Sequence, residues 1–190
     1  MGGDCSQLNH NQFVGLGVDA FIKHFIKTLN LDPNREEELT TLNNDIFLEI
    51  AGEEVEVFPK MLDLIKELDK RNVPMGIASG SSQGVLDLIS KQNGLDKYIT
   101  NIFSSELVEN GKPSPDVYLY AASKLGIDPK ECLVLEDSEA GVKSAIRAGM
   151  QVVWFDFLSS KNEELKSQVF SYYKDGQDSF KSKDILYMFQ

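Results

Sequence analysis

Two adjacent carboxylates, Glu136 and Asp137, directly follow a continuous apolar run over residues 132–135. Such a run is typical of a parallel strand that is buried on both faces. Ligands of open α/β sheets bind at the carboxyl ends of the strands, so both acids are expected at the mouth of a site. Neighbouring carboxylates repel each other, and a cation that prefers oxygen ligands, such as Mg²⁺, offsets the repulsion. The pair therefore indicates a Mg²⁺ site, although acids favoured by a helix dipole would give the same pattern.

Two further loops carry groups that suit a phosphate. Ser79 and Gly80 follow another apolar run, and they offer a hydroxyl and open backbone amides at a helix N-terminus. Lys112 stands between a glycine and a proline and offers a charge that neutralises phosphoryl oxygens. Taken alone, each loop is better explained as an ordinary turn or a solvated lysine. If the two apolar runs are parallel strands of one sheet, the three loops meet at one edge and together predict a phosphate and metal site.

The pattern of elements predicts how these loops are positioned. After Phe58-Pro59 the chain alternates between helix and strand, which favours a parallel sheet with helices on both faces. Before that point, two stretches with helical spacing predict a helical hairpin, with Asp32 as the N-cap of the second helix and Pro33 at its first position. Ser138 is expected to cap the helix that follows the acidic pair. The strands are predicted at residues 73–78, 99–103, 132–135 and 151–155.

Composition excludes several classes of protein. The net charge of -11 argues against a surface for nucleic acid or anionic membrane, because phosphate backbones require a basic footprint. No run is long and apolar enough to span a bilayer, and the first residues lack the pattern of a signal peptide. Cys5 and Cys132 are too few for a disulfide framework and favour a reducing compartment. We therefore expect a cytoplasmic protein. A small phosphorylated metabolite stays compatible with this charge, because one metal ion and one lysine can neutralise it locally.

Three segments together resemble motifs of the haloacid dehalogenase-like superfamily, in the branch of β-phosphoglucomutase and small phosphatases. IASGSSQ resembles the second family motif, GKPSPDVYLYAASKLGI the third and VLEDSEAGVKSAIRAGM the fourth. The resemblance implies Mg²⁺-dependent hydrolysis of a phosphate ester. It assigns phosphate binding to Ser79, beside the open backbone amides at Gly80, and charge stabilisation to Lys112. It places Mg²⁺ on Asp137 directly and on Glu136 directly or through water.

The resemblance also implies a domain organisation. We expect a Rossmann-like α/β core over residues 58–190, a small and partial helical cap over residues 18–57, and a leader over residues 1–17. Aromatic clusters in the tail from residue 156 onward are expected to cover an edge of the core.

One family motif is absent from the sequence. The first motif is a strand ending in Asp-x-Asp-x-Thr, which supplies the nucleophile and the general acid and base, and this chain contains no such pattern. Asp4 follows no apolar run, and Asp19 has Phe21 where the second acid should stand. Without a nucleophile the covalent route is closed. The central strand that carries this motif would be missing too, which leaves buried backbone groups unpaired at about 1–3 kcal/mol each.

Two interpretations follow. The chain is an N-terminally incomplete Mg²⁺-dependent phosphohydrolase that is inactive as it stands, or it is a non-catalytic regulatory protein that binds phosphate and metal. The second predicts that residues 12–18, or a partner chain, complete the sheet. A purely structural α/β domain is disfavoured because three motifs occur in the order that one site requires.

Overall fold

The computed structural model describes residues 14–15, 17–55, 57–176 and 179–189. Within these ranges the strands are β1 Gly76–Ser79, β2 Asn101–Ser104, β3 Leu133–Glu136, β4 Gln151–Phe155 and β5 Ser171–Tyr173. The helices are α1 Val18–Thr28, α2 Glu36–Glu54, α3 Pro59–Lys70, α4 Gln83–Gln92, α5 Asp116–Leu125, α6 Glu139–Arg147, α7 Glu163–Lys166 and α8 Ser182–Leu186. No helix in these ranges has both the length and the apolar character that crossing a membrane requires.

The strands form two parallel sheets. β1 pairs with β2, with Gly76 opposite Asn101, and the order of the second sheet is β3-β4-β5. Each successive strand is reached through a helix, as the alternating sequence pattern predicts. The predicted α/β fold with parallel strands is therefore confirmed.

The second sheet carries the main core on its two faces. Val152 and Trp154 of β4 pack into one cluster with α5 and α6, whereas Val153 and Phe155 pack into another with α3 and α8. This alternation follows from the period of two along a strand. All four side chains are almost completely buried, which explains why the QVVWF run reads as continuously apolar.

The tail adds a strand that the sequence pattern did not predict. β5 pairs with β4, and Tyr172 packs edge-on against Trp154 with ring centroids 5.4 Å apart. On the opposite face, Tyr173 stacks on Phe155 at 5.3 Å. The aromatic clusters of the tail thus cover the core as expected, and one of them does so as part of the sheet.

The helical hairpin begins differently from the prediction. Asp32 does act as an N-cap, accepting a hydrogen bond from Asn34 N at 2.9 Å, but Pro33 opens a short 3₁₀ turn that ends at Arg35. The α-helix proper starts only at Glu36. A small apolar cluster around Ile22, Ile26 and Leu39 holds α1 against α2.

The proposed central strand at residues 12–18 is not found. Val14 and Gly15 form a turn and Val18 already belongs to α1, so the described part of this stretch is not extended. Residues 12, 13 and 16, together with Asp4 and Cys5, lie outside the described residues. Among the residues that are described, β1 pairs only with β2 and β3 only with β4, and the two sheets face each other across a gap.

Candidate phosphate and metal site

Lys112 joins the carboxyl ends of the two sheets. Its Nζ donates hydrogen bonds to Ala78 O of β1 at 3.2 Å, to Tyr118 Oη of α5 at 3.0 Å, and to Glu136 Oε1 of β3 at 2.5 Å. An ammonium group has three hydrogens to donate, so this set uses all of them. The side chain is only 5% exposed. The loops that carry Ser79, Lys112 and the Glu136–Asp137 pair therefore meet, and we call this region the carboxyl edge.

The loop that holds Lys112 is anchored on α6. Ser144 Oγ donates to Ser114 O at 2.5 Å, and Arg147 Nη1 donates to Pro113 O at 2.8 Å. These bonds fix the backbone on the C-terminal side of Lys112 without any ligand. The sequence pattern placed Lys112 near the acids, and the small residues of α6 explain how the loop approaches so closely.

The Glu136 carboxylate is fully engaged by the protein. Oε1 accepts from Lys112 and from Tyr118 Oη at 2.6 Å, and Oε2 accepts from Asp137 N, Ser138 N and Ser138 Oγ at 3.0, 3.1 and 3.0 Å. Burial by itself would raise the pKa of Glu136, but the charge of Lys112 and these hydrogen bonds outweigh burial and hold the pKa below its usual value. Glu136 is therefore ionised and has no spare acceptor position.

Gly141 makes room for this carboxylate. A Cβ at position 141 would overlap the carboxyl group of Glu136. Ser138 caps α6 as predicted, since its Oγ accepts from Gly141 N at 3.0 Å. The start of α6 thus packs directly behind Glu136, and only glycine fits at that position.

Asp137 has the opposite environment. Its side chain reaches solvent at the mouth of the cavity between the sheets, and its backbone oxygen accepts a bond from Trp154 Nε1 at 3.2 Å. Burial among the surrounding walls, followed by the negative charge of Glu136, raises the pKa of Asp137 to about 6. The two neighbouring acids therefore differ in role. Glu136 holds the carboxyl edge together through its hydrogen bonds, and Asp137 is available to a ligand.

Ser79 and Gly80 line the same cavity as Asp137, but the helix that follows them is partly occupied at its N-terminus. Ser79 Oγ accepts from Ser81 N at 3.2 Å, and Ser79 O accepts from Ser105 Oγ at 3.1 Å. The first backbone amide of α4, Gln83 N, donates to Glu106 Oε2 at 2.8 Å. An acidic side chain thus already takes part of the helix N-terminus that the sequence suggested for phosphate, which leaves the Ser79 turn itself as the candidate phosphate contact.

The donor set suits Mg²⁺ only in part. In the described ranges no three His, Cys, Asp or Glu side chains are grouped as a metal centre. Mg²⁺ usually keeps several waters and takes one or two carboxylates plus substrate phosphate oxygens, which Asp137 can satisfy as a single protein ligand. A direct bond from Glu136 would require the loss of its link to Lys112. Asp137 is therefore the residue that fits a direct ligand, with Glu136 supporting it from behind.

The sequence motifs do not single out Tyr118 or Glu106. Tyr118 lies among the buried residues of α5 and is only 7% exposed. A buried tyrosine hydroxyl needs a hydrogen-bond partner, which is the signal that could have placed it beside an acid. Asp19, considered as a substitute nucleophile, lies exposed in the first turn of α1 and does not line the cavity.

The fold and this edge define the class of protein. The profile of the haloacid dehalogenase-like hydrolase family matches residues 1–155, and the chain belongs to this family. A β-phosphoglucomutase structure from Clostridium difficile superposes with a TM-score of 0.83, covering 99% of this chain and 83% of that one at 18% identity. At that identity the likeness shows the fold alone.

Two relatives are similar to part of this chain. Hexitol phosphatase A of Escherichia coli is 36% identical over 119 residues, covering 61% of this chain and 52% of that protein. A bifunctional riboflavin kinase/FMN phosphatase of Arabidopsis thaliana is 38% identical over 102 residues, covering 53% of this chain and 27% of that protein. The chain thus spans about half or less of these relatives' own lengths.

Proposed function

We propose that this chain binds a small phosphorylated metabolite together with Mg²⁺ at the carboxyl edge and does not hydrolyse it. The observation that carries the proposal is the convergence of three loops on one point, where Lys112 joins both sheets beside the ligand-accessible Asp137. Family membership and the names of the two relatives support a phosphate monoester as the ligand.

Each residue has a distinct part in this proposal. Asp137 would hold Mg²⁺, which when bound offsets the charge of the phosphoryl group. The Ser79 hydroxyl and the adjacent backbone at Gly80 would hydrogen-bond phosphoryl oxygens. Lys112 contributes positive charge at short range, while Glu136, Tyr118 and Ala78 fix the position of its ammonium group.

We expect no hydrolysis of the phosphate ester, because neither acid at the carboxyl edge is free to act as a nucleophile. The covalent route of this family uses an aspartate nucleophile in addition to the metal ligand. Of the described acids at this point, Glu136 is bonded at both oxygens and Asp137 is assigned to the metal. Both interpretations of the sequence, an incomplete hydrolase and a regulatory binding protein, predict the same behaviour for this chain.

Titration calorimetry tests the metal assignment. Asp137→Asn should weaken Mg²⁺ binding at least about tenfold, because even the loss of an outer partner of a metal ligand typically costs that much. Asp128→Asn is the matched control: Asp128 caps a distant 3₁₀ turn, and asparagine caps equally well. Equal Mg²⁺ affinity in the two variants would remove Asp137 from the site.

Vanadate binding tests the phosphate assignment. Ser79→Ala should weaken the binding of vanadate in the presence of Mg²⁺. Ser167→Ala serves as the control, since Ser167 is an exposed serine whose hydroxyl donates to the nearby Glu164 carbonyl, away from the carboxyl edge. The same affinity for both variants would contradict the role of the Ser79 turn.

Hydrolysis of p-nitrophenyl phosphate tests the absence of turnover. A chain of verified intact mass should release nitrophenol at the uncatalysed rate with and without Mg²⁺. Metal-dependent release would show that another acid acts as nucleophile, and it would overturn the non-catalytic part of the proposal while leaving the binding part intact.

A further inference from the structure

Two exposed aromatic rings stack on each other in the cavity that the carboxyl edge borders. Phe157 follows β4 by two residues, and Phe58 is the N-cap residue of α3. Their ring centroids are 5.5 Å apart, and the ring planes differ by 22°. Both residues line the same cavity as Ser79 and Asp137. We call Phe58 and Phe157 the aromatic pair.

Packing of the core does not account for the aromatic pair. Phe58 is 51% exposed and Phe157 is 44% exposed, and neither ring belongs to an apolar cluster of the described core. Gly176 lies so close to the Phe157 ring that a Cβ there would overlap it. Single exposed apolar side chains are common, but a stacked pair that lines a cavity offers a flat apolar surface to a ligand. Phe58 is the more open of the two rings.

A buried acid fixes the loop that carries Phe157. Asp156 is only 1% exposed. Its Oδ1 accepts a hydrogen bond from Leu158 N at 3.0 Å, and its Oδ2 accepts from Ser160 N at 2.7 Å and from Tyr172 Oη at 2.6 Å. These bonds hold the backbone on both sides of Phe157 in place without any ligand. The ring is therefore positioned in advance, which lowers the cost of binding against it.

The same loop is bonded to the helix of the acidic pair. Ser160 Oγ donates to Glu139 Oε1 at 2.6 Å, and Asn162 Nδ2 donates to Glu139 Oε2 at 3.3 Å. Glu139 is the first residue of α6 and stands two residues after Asp137. The aromatic pair is thus held in a fixed position relative to the carboxyl edge, and one ligand can contact both.

The remaining lining indicates the chemistry of such a ligand. α2 contributes the carboxamides of Asn43 and Asn44 and the ring of Phe47 to the same cavity. A planar aromatic ring has faces that stack on other rings, and polar atoms on its edge can bond to amides. An aliphatic chain would use neither the flat rings nor the carboxamides. The lining therefore favours an aromatic group over an aliphatic one.

On the basis of the proposed function, we propose that the phosphate ester bound at the carboxyl edge carries a planar aromatic ring that stacks on Phe58. Its phosphoryl group would lie at Ser79 and Asp137, and its ring would extend along the cavity to the aromatic pair. Stacking adds to the burial of apolar area, so an aromatic ring should bind about two- to tenfold more tightly than a saturated ring of the same size.

A series of phosphonates tests the proposal on the whole chain with Mg²⁺. Each compound joins a phenyl or a cyclohexyl ring to phosphorus through a methylene linker, and the linkers increase in length so that one of them places the ring on Phe58. Titration calorimetry should show that the phenyl member at that linker binds at least about twofold more tightly than its cyclohexyl counterpart. Cyclohexyl is at least as apolar as phenyl, so general hydrophobicity does not produce this preference. Equal affinities for the two rings at every linker would overturn the proposal.

A matched pair of variants locates the ring. Phe58→Leu keeps an apolar side chain but removes the aromatic face, so the preference for phenyl over cyclohexyl should disappear. Phe170→Leu is the control, because Phe170 is also an exposed phenylalanine, at 59%, and does not line the cavity. A purely structural role of Phe58 would change the affinities for both rings equally and leave their ratio as it was. An unchanged ratio in Phe58→Leu would contradict stacking on this residue.

Methylphosphonate, which has no ring, separates this proposal from the proposed function. If methylphosphonate binds with Mg²⁺ but the two rings bind alike, the phosphate site stands and the ring proposal is wrong. If neither methylphosphonate nor any ring compound binds, both proposals are wrong. Binding of methylphosphonate together with a preference for phenyl that depends on Phe58 would support both.

Discussion

Strands β1 and β3 are joined at their carboxyl ends and separated along the rest of their length. At the carboxyl edge, Lys112 connects β1 to β3 through Ala78 O and Glu136, in a cluster whose donors and acceptors are all matched. Below it, the strands face each other across the gap between the two sheets, with no backbone pairing in the described chain. Side chains from three loops can thus fix the geometry of a site even where the sheet beneath it is discontinuous.

The contrast between the joined ends and the unpaired length of the two strands has a simple physical origin. The contacts at the carboxyl edge come from short segments, such as the Lys112 loop and the start of α6, that carry their own anchoring bonds. Pairing along a strand instead requires a complete neighbouring strand. If the edge cluster is what holds the two sheets in place, disturbing it should cost more stability than disturbing either sheet elsewhere.

Removing Lys112 should have the largest effect. Lys112→Ala leaves the carboxylate of Glu136 buried without its cation, and breaking one side of a buried pair typically costs about 3–5 kcal/mol. The free energy of unfolding from urea denaturation measures this cost. Lys97→Ala, on a short 3₁₀ turn after α4, is the control and should change stability by less than about 0.5 kcal/mol.

A small effect of Lys112→Ala would mean that Glu136 relaxes toward water. It would also mean that the edge does not hold the sheets together. The pH dependence gives a second view: the pKa of Glu136 is lowered in the folded protein, so its contribution to stability is present above its ordinary pKa and is lost as the pH falls through the folded pKa.

A methyl group behind Glu136 should have the next largest effect. Gly141→Ala places a Cβ where the carboxylate of Glu136 now lies, so the cluster must shift, at a cost of about 1–3 kcal/mol. Gly84→Ala is a closely matched control, because Gly84 is also near the start of a helix but a Cβ there meets nothing within 4 Å. The control should gain up to about 1 kcal/mol, since alanine favours helix over glycine.

Thermal unfolding measures both changes in stability. A loss for Gly141→Ala together with a gain for Gly84→Ala would separate the effect of packing from that of helix propensity. A gain in stability for both would show that the carboxylate of Glu136 has free space to move into, and the description of the edge as fully matched would then be wrong.

The sequence predicts the parts of this molecule that depend on local pattern. The QVVWF run gives β4 at its observed bounds, and the serine before the small-residue helix gives the cap of α6. The loop motifs place Ser79, Lys112 and the acidic pair at one edge, because parallel strands bring their carboxyl ends together.

What the sequence could not predict depends on partners that are distant along the chain. Glu106 is read as a surface acid until Gln83 is seen to donate to it, and Tyr118 is read as a core residue until its hydroxyl is seen between Lys112 and Glu136. β5 forms because its tyrosines find the aromatic rings of β4, a pairing that the polar tail does not reveal. The gap between the two sheets, likewise, is visible only once both sheets are in place.

The smallest effect is expected at Asp137, where the edge meets solvent. Burial and the charge of Glu136 raise the pKa of Asp137 to about 6, whereas an aspartate in an unfolded chain has a pKa of about 3.9. Between these two values the folded state binds more protons than the unfolded state, so stability falls as the pH rises. An asparagine side chain has no proton to lose, so Asp137→Asn should gain stability relative to the natural chain between about pH 4 and pH 6 and then level off.

Urea denaturation at a series of pH values, with EDTA present to exclude metal, measures this difference. Glu136 titrates in both proteins, so most of its contribution cancels in the comparison. Asp128→Asn controls for the removal of one negative charge from a chain of net charge -11. If the difference between Asp137→Asn and the natural chain were the same at pH 4 and pH 7, the charge of Asp137 would not be penalised in the fold, and the contrast between a bonded Glu136 and a free Asp137 would lose its electrostatic basis.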